Sequence, residues 1–134
     1  MKLDDFVNTY IFKQVDFDGV YSSQCTDLFR QYCQDVLKIS HTGSVEGAKD
    51  LYLNYDNLPL EKKYFTRFKK GVVTGDVAIW DSTPTNPYGH VAIVIGNMPG
   101  RDLLVFEQDG FKNNGAKLKV RTIDNLLGYL RFRG

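Results

Sequence analysis

Apolar positions follow one period through the first part of the chain and another through the second. Leu3, Phe6, Val7 and Tyr10 recur at helical spacing, which predicts a short amphipathic helix over residues 3–11. From Gln24 to Leu37 the stripe of Leu28, Phe29, Tyr32, Cys33, Val36 and Leu37 marks a longer helix, and Arg30, Gln31, Gln34 and Asp35 lie on its polar side. Ser44 suits the N-cap of a third helix running to about Tyr52, with Val45, Ala48, Leu51 and Tyr52 buried. Residues 54–74 carry Asn57, Pro59, Lys62, Lys63, Arg67, Lys69 and Lys70 and read as an irregular, solvated basic connection.

After Gly75 the pattern becomes that of strands. Asp76–Asp81, Val91–Gly96 and Leu103–Glu107 are rich in Val and Ile and are separated by Pro84, Pro87, Gly89, Pro99 and Gly100. Lys117–Arg121 and Tyr129–Arg133 alternate apolar and charged residues, as half-buried strands do. Helices followed by a meandering antiparallel sheet make an α+β fold. No repeat, low-complexity segment or domain boundary interrupts it, so residues 1–134 read as a single domain.

A chain of 134 residues can bury a core without staples. Its net charge of +1 and lack of a basic run predict no nucleic-acid partner. Its apolar runs fall well short of the roughly 18–20 residues that span a bilayer. Asp4 and Asp5, with no apolar stretch after them, argue against a signal peptide. Cys25 and Cys33 fall on one predicted helix with Cα atoms roughly 12 Å apart, beyond disulfide reach, so both are expected as free thiols.

Cys33 sits in the apolar stripe and belongs to the core, the usual place for a free cysteine. Cys25 instead opens the helix, where unpaired amides and the helix dipole favour a thiolate. Of the two histidines, His41 lies in a polar turn, whereas His90 stands at the mouth of the buried strand Val91–Gly96, a suitable place for a general base. A cysteine–histidine pair needs a third group to orient the imidazole. The next strand ends at Glu107, followed by Gln108 and Asp109, and antiparallel pairing would bring that end beside His90. Gln24, just before Cys25, could donate to a developing oxyanion.

Four motifs stand in register: Gln24-Cys25-x-Asp27-Leu28, Gly75-Asp76-Val77-x-x-Trp80, Tyr88-Gly89-His90-Val91-x-Ile93-Val94, and Glu107-Gln108. Together they resemble a CHAP domain, a cysteine- and histidine-dependent amidohydrolase/peptidase, over about Val15 to Phe132. Gly47-Ala48-Lys49-Asp50 also resembles the segment after the first long helix in phage endolysin members. The resemblance implies a papain-like fold and peptidoglycan hydrolysis, with Cys25 as nucleophile, His90 as base and Glu107 as orienting acid. Gln24 and the Cys25 amide would hold the oxyanion. Where the family usually has Asn, this chain has Asp109, a second candidate for orienting His90.

The acidic loop before Cys25 gains meaning from that resemblance. Counting Asp16 as the first position, oxygens fall at Asp16, Asp18, the Val20 and Ser22 carbonyls, and Asp27, close to a calcium-loop spacing. Asp-x-Asp-Gly-x-Tyr before Gln-Cys resembles the endolysin members that bind Ca²⁺, which would fix the position of Cys25. Trp80, Tyr88 and Tyr21 are candidates to line a substrate groove, with core packing an alternative for Trp80. The expected partner is bacterial peptidoglycan, cut either within the stem peptide or cross-bridge, which the calcium loop favours, or at the amide to N-acetylmuramic acid. A non-catalytic calcium- or wall-binding module is the alternative outside enzyme chemistry. The protein is expected to act as a monomer or as one module of a larger lysin. It would be phage-encoded, and either released to the wall through a holin or carried in the virion.

Overall fold

The computed structural model describes residues 1–17, 24–39, 45–109 and 115–134. Helix α1 (Leu3–Tyr10) buries Phe6, and α2 (Cys25–Tyr32) continues as one π-type turn over Cys33–Leu37. Lys38 ends that turn in the left-handed region at φ 58°. Two shorter helices follow, α3 (Asp50–Leu53) and α4 (Pro59–Tyr64), the second with proline at its start, where the missing N–H costs nothing.

Among the described residues six strands build one antiparallel sheet: β1 (Phe65–Phe68), β2 (Val77–Trp80), β3 (His90–Asn97), β4 (Leu103–Glu107), β5 (Lys117–Arg121) and β6 (Leu126–Phe132). Their order is β1-β6-β2-β3-β4-β5. The apolar runs of β2 and β3 are continuous because both faces of the sheet are covered. Val77, Ile79, Val91 and Ile93 join Phe6, Leu28, Phe29 and Phe106 in the core under the helices. Ala78, Trp80, Ala92 and Val94 join Leu103, Val105 and Tyr129 in a second cluster on the other face. Each large apolar side chain so buried contributes about 1.5–3 kcal/mol before entropy is counted. Among the described residues no helix is long and apolar enough to cross a membrane.

Three expectations need correction. The segment 54–74 is not an irregular connection: it holds a 3₁₀ turn (Tyr55–Asn57), α4 and the edge strand β1, which pairs with β6. Arg67 of that strand donates to the Tyr52 carbonyl and lies over the Tyr52 and Tyr55 rings, so part of the basic surface is structural. The third helix begins at Asp50 in the described residues, because the Lys49 N–H is taken by the Tyr88 carbonyl at 3.0 Å; Ser44 lies outside the described residues. In β5 the polarity is reversed. Lys117, Lys119 and Arg121 are half-buried, whereas Leu118 and Val120 are 44% and 46% exposed.

The register sets up the site. β3 and β4 run antiparallel with Ile93 opposite Phe106, which brings the start of β3 and the end of β4 to the same side of the sheet. β2 pairs with β3 so that Trp80 stands opposite His90. The turn before α3 is locked to the turn before β3: a Cβ on Gly47 would lie 2.6 Å from the Tyr88 carbonyl oxygen. Gly47→Ala should therefore destabilise the protein by about 1–3 kcal/mol in urea denaturation. Gly96→Ala, at a position with open space around it, should leave the midpoint near wild type and serves as the control.

Candidate active site

Cys25 is the first residue of α2, and the helix start is built to hold it. The Asp27 carboxylate accepts the Gln24 N–H at 2.9 Å, and the Gln24 carbonyl accepts the Asp27 N–H at 3.1 Å. These bonds occupy groups that a helix start otherwise leaves unmatched. Gln108 fixes the chain just upstream. Its Nε2 donates to the carbonyls of Val15 (2.7 Å) and Gln24 (2.9 Å), and its Oε1 accepts the Val15 N–H (2.7 Å). One buried amide thus ties both ends of the acidic loop to the end of β4, directly after Glu107.

His90 stands between Cys25, with which it lines one cavity, and Glu107. Its Nε2 donates to Glu107 Oε1 at 3.2 Å, which leaves Nδ1 for the thiol. The carboxylate on the imidazole is therefore Glu107; Asp109 lines the groove and acts electrostatically on Arg121. Glu107 is fully buried, and Arg121 holds it in a two-pronged contact, Nε to Oε1 and Nη2 to Oε2, the latter at 2.8 Å. Trp80 lies beneath, its ring 5.9 Å from His90, its indole N–H donating to the Thr122 carbonyl.

Electrostatics follow from this packing. Burial alone would lower the His90 pKa, but the bonds to Cys25 and Glu107 outweigh it and raise the group to about 9. Burial likewise opposes ionisation of Glu107, yet Arg121 and then His90 hold its pKa down at about 2. Cys33 is buried in the core, which pushes its thiol up and suppresses its reactivity.

Cys25 and His90 face a cavity of about 410 Å³ lined also by Gln24, Gly47, Tyr88 and Asp109. A second cleft of about 690 Å³ shares His90, Gly89 and Asp109 with it and is lined further by Trp80, Arg121 and Asn125. Tyr88 is 49% exposed and lines the first cavity. Trp80 is only 6% exposed and chiefly supports His90 from below. The expected groove residue Tyr21, and Asp18, Val20 and Ser22 of the candidate cation loop, lie outside the described residues, as does His41. Of the cation candidates, Asp16 and Asp27 are described; Asp27 is buried with Oδ1 3.9 Å from Arg30. The sequence alone did not single out Arg121, and it gave Gln108 a place in the Glu107-Gln108 motif but no role. The one available signal was a strand whose charged residues alternate as regularly as its apolar ones.

A helix-borne thiol, an imidazole and a buried carboxylate in line are the parts of a cysteine hydrolase. The family model of the CHAP domain matches residues 15–109. The chain belongs to the CHAP-domain family. This CHAP domain is 32% identical over 126 residues to Endolysin PlyTW of Staphylococcus phage Twort, over 90% of this chain and 26% of that protein. The chain thus spans about a quarter of the length of that relative. In fold the CHAP domain is similar to the crystal structure of Ly7917, with TM-score 0.70, 18% identity, and 96% and 60% of the two chains covered. It is also similar to wild-type endolysin LysIME-EF1, with TM-score 0.69, 22% identity, and 98% and 64% covered. An N-acetylmuramoyl-L-alanine amidase from Staphylococcus aureus matches at TM-score 0.59 and 15% identity, over all of this chain and 37% of the other. These likenesses establish the papain-like α+β fold.

The shifted groups give the CHAP domain a defined pH response. His90 is raised from 6.5 to about 9, so its contribution to stability is complete below pH 6.5 and lost as pH rises through about 9. Glu107 is lowered from 4.5 to about 2, so its contribution is complete above pH 4.5 and lost as pH falls through about 2. The melting temperature should decline as pH is raised from 6.5 through 9, and His90→Gln should flatten that decline. An equal decline in both proteins would show that another group is responsible.

Proposed function

We propose that this CHAP domain hydrolyses an amide bond of bacterial peptidoglycan through a covalent Cys25 intermediate. The observation that carries the proposal is Cys25 at the start of α2, facing the same cavity as an imidazole that is itself oriented by buried Glu107. His90 takes the Cys25 proton, and the sulfur forms a bond to the amide carbon. Collapse of the tetrahedral species breaks the C–N bond while His90 returns its proton to the leaving nitrogen. Water then adds to the thioester, gives a proton to His90, and frees the carboxylate product and the thiol. The Cys25 N–H at the helix start, with Gln24 beside it, is the donor set for the oxyanion.

Similarity to a phage endolysin supports peptidoglycan as substrate and a phage-encoded lysin acting at the wall as the biological setting. We assign the bond to the stem peptide or cross-bridge, on the resemblance of the acidic loop to calcium-binding lysin members. Ca²⁺ is part of the same proposal: Asp16 and Asp27 are hard oxygen donors at the two ends of that loop. A carboxylate has about four acceptor sites, so Asp27 can serve the Gln24 amide and a cation together. When bound, the ion would fix the loop that leads into Cys25.

Cys25→Ala should reduce clearing of purified Gram-positive walls to background while leaving the melting temperature within a few degrees of wild type, and His90→Ala should abolish clearing with a lower melting temperature, because buried Glu107 loses a partner. Clearing by the Cys25 variant at the wild-type rate would sink the mechanism. Mass spectrometry of the released fragments should find new termini within the peptide; glycan freed from an intact stem peptide would assign the bond to an amidase instead. Added Ca²⁺ should raise the melting temperature of EDTA-treated protein. Asp16→Ala/Asp18→Ala should lose that response, and a wild-type protein indifferent to both reagents would remove Ca²⁺ from the account.

A further inference from the structure

Catalysis asks His90 to exist in two charge states. It is an imidazolium while Cys25 is unprotonated, and neutral once its proton has gone to the leaving nitrogen. Its carboxylate partner has no exposed surface to be solvated by water. If His90 were the sole countercharge, each proton transfer would strand a bare carboxylate in the interior, at a cost large enough to hold the proton on the imidazole. The structure supplies a second cation that cannot titrate. Arg121 grips both Glu107 oxygens and shares Oε1 with His90 Nε2.

Its placement is not a by-product of strand pairing. The register sets Glu107 opposite Lys117 and Arg121 opposite Leu103, so Arg121 reaches along the sheet to the carboxylate rather than across to it. The Arg121 guanidinium also lies over the Trp80 ring at 5.9 Å, on the ring that supports His90. The reversed polarity of β5, which leaves Leu118 and Val120 in solvent, is what allows Arg121 to point inward.

We propose that Arg121 is a positioning residue, the permanent countercharge of Glu107, which lets His90 give up and regain its proton without leaving a buried carboxylate uncompensated. The proposal rests on the Cys25–His90 chemistry above, but its test needs no substrate. The groups facing His90 are Cys25 from α2, Trp80 from β2, Glu107 from β4 and, through Glu107, Arg121 from β5, with Asp109 at the groove. Removing the guanidinium should make His90 more basic, because its proton becomes the only local compensation for Glu107.

Trp80 is the single tryptophan of the chain and packs against His90, so its emission reports the imidazole directly, since protonated imidazole quenches indole more than the neutral ring does. The titration is made on the whole chain in a Cys25→Ala background, which removes thiol coupling. Arg121→Gln should move the fluorescence midpoint upward by about one pH unit or more, and Arg121→Lys, which keeps the charge, by less than about half a unit. With Glu107→Gln already present, adding Arg121→Gln should move the midpoint by less than about 0.3 unit, because the residue acts through Glu107. An unchanged or lowered midpoint in Arg121→Gln, or an undiminished shift in the Glu107→Gln background, overturns the proposal. Should Arg121→Gln fail to fold, a shift of a full unit in Arg121→Lys overturns it equally. Failure of the wild-type protein to clear walls, with these midpoints as stated, would overturn the substrate assignment and leave Arg121 in place.

Discussion

A carboxylate with no exposed surface must be matched by charge and hydrogen bonds or give up its ionisation, and Glu107 is such a group. Its match is made by three nitrogens from two elements: Nε2 of His90 on β3 and two guanidinium nitrogens of Arg121 on β5. The antiparallel register of β3 and β4 provides the first partner and the reversed face of β5 the second. Because Glu107 takes Nε2, the other ring nitrogen is left for the thiol on α2, which faces the same cavity. The sheet decides where the imidazole stands, and the helix has only to present a cysteine there.

The helix is brought to that place by the residue after Glu107. Gln108 is buried and spends both ends of its amide on the backbone at Val15 and Gln24. Two successive side chains at the end of one strand therefore serve the two halves of the site, one fixing the imidazole and the other the approach to the nucleophile. Unsatisfied buried amide groups cost about 1–3 kcal/mol each, so loss of either contact is penalised as well as unfavourable to geometry. The Gly47–Tyr88 contact adds the wall of the groove, since a Cβ there would push the turn before His90 away.

Much of this was legible because the reactive residues stand where the sequence changes period. Cys25 opens a helical stripe, and His90 and Glu107 lie at the start and end of consecutive apolar strands. Antiparallel pairing of those strands was enough to predict their meeting. What escaped was set by tertiary contacts that overrode local pattern. Strand β1 was hidden because only Phe65 of its four residues is buried and its neighbours are basic. The helix expected from Ser44 is cut short by one hydrogen bond to Tyr88. Arg121 was hidden most completely, since half-buried alternation normally turns the apolar residues inward, and here the charged ones turn inward to reach a carboxylate at the far end of the neighbouring strand.

Coupling of the Cys25 thiol to His90 is the central claim, and alkylation with iodoacetamide followed by peptide mass spectrometry measures it directly on the folded protein. Cys25 should be modified while Cys33, buried in the core, is spared. His90→Ala should slow Cys25 modification by roughly tenfold or more without exposing Cys33. Alkylation of Cys25 at the same rate with and without His90 would contradict the claim that the two act as a pair.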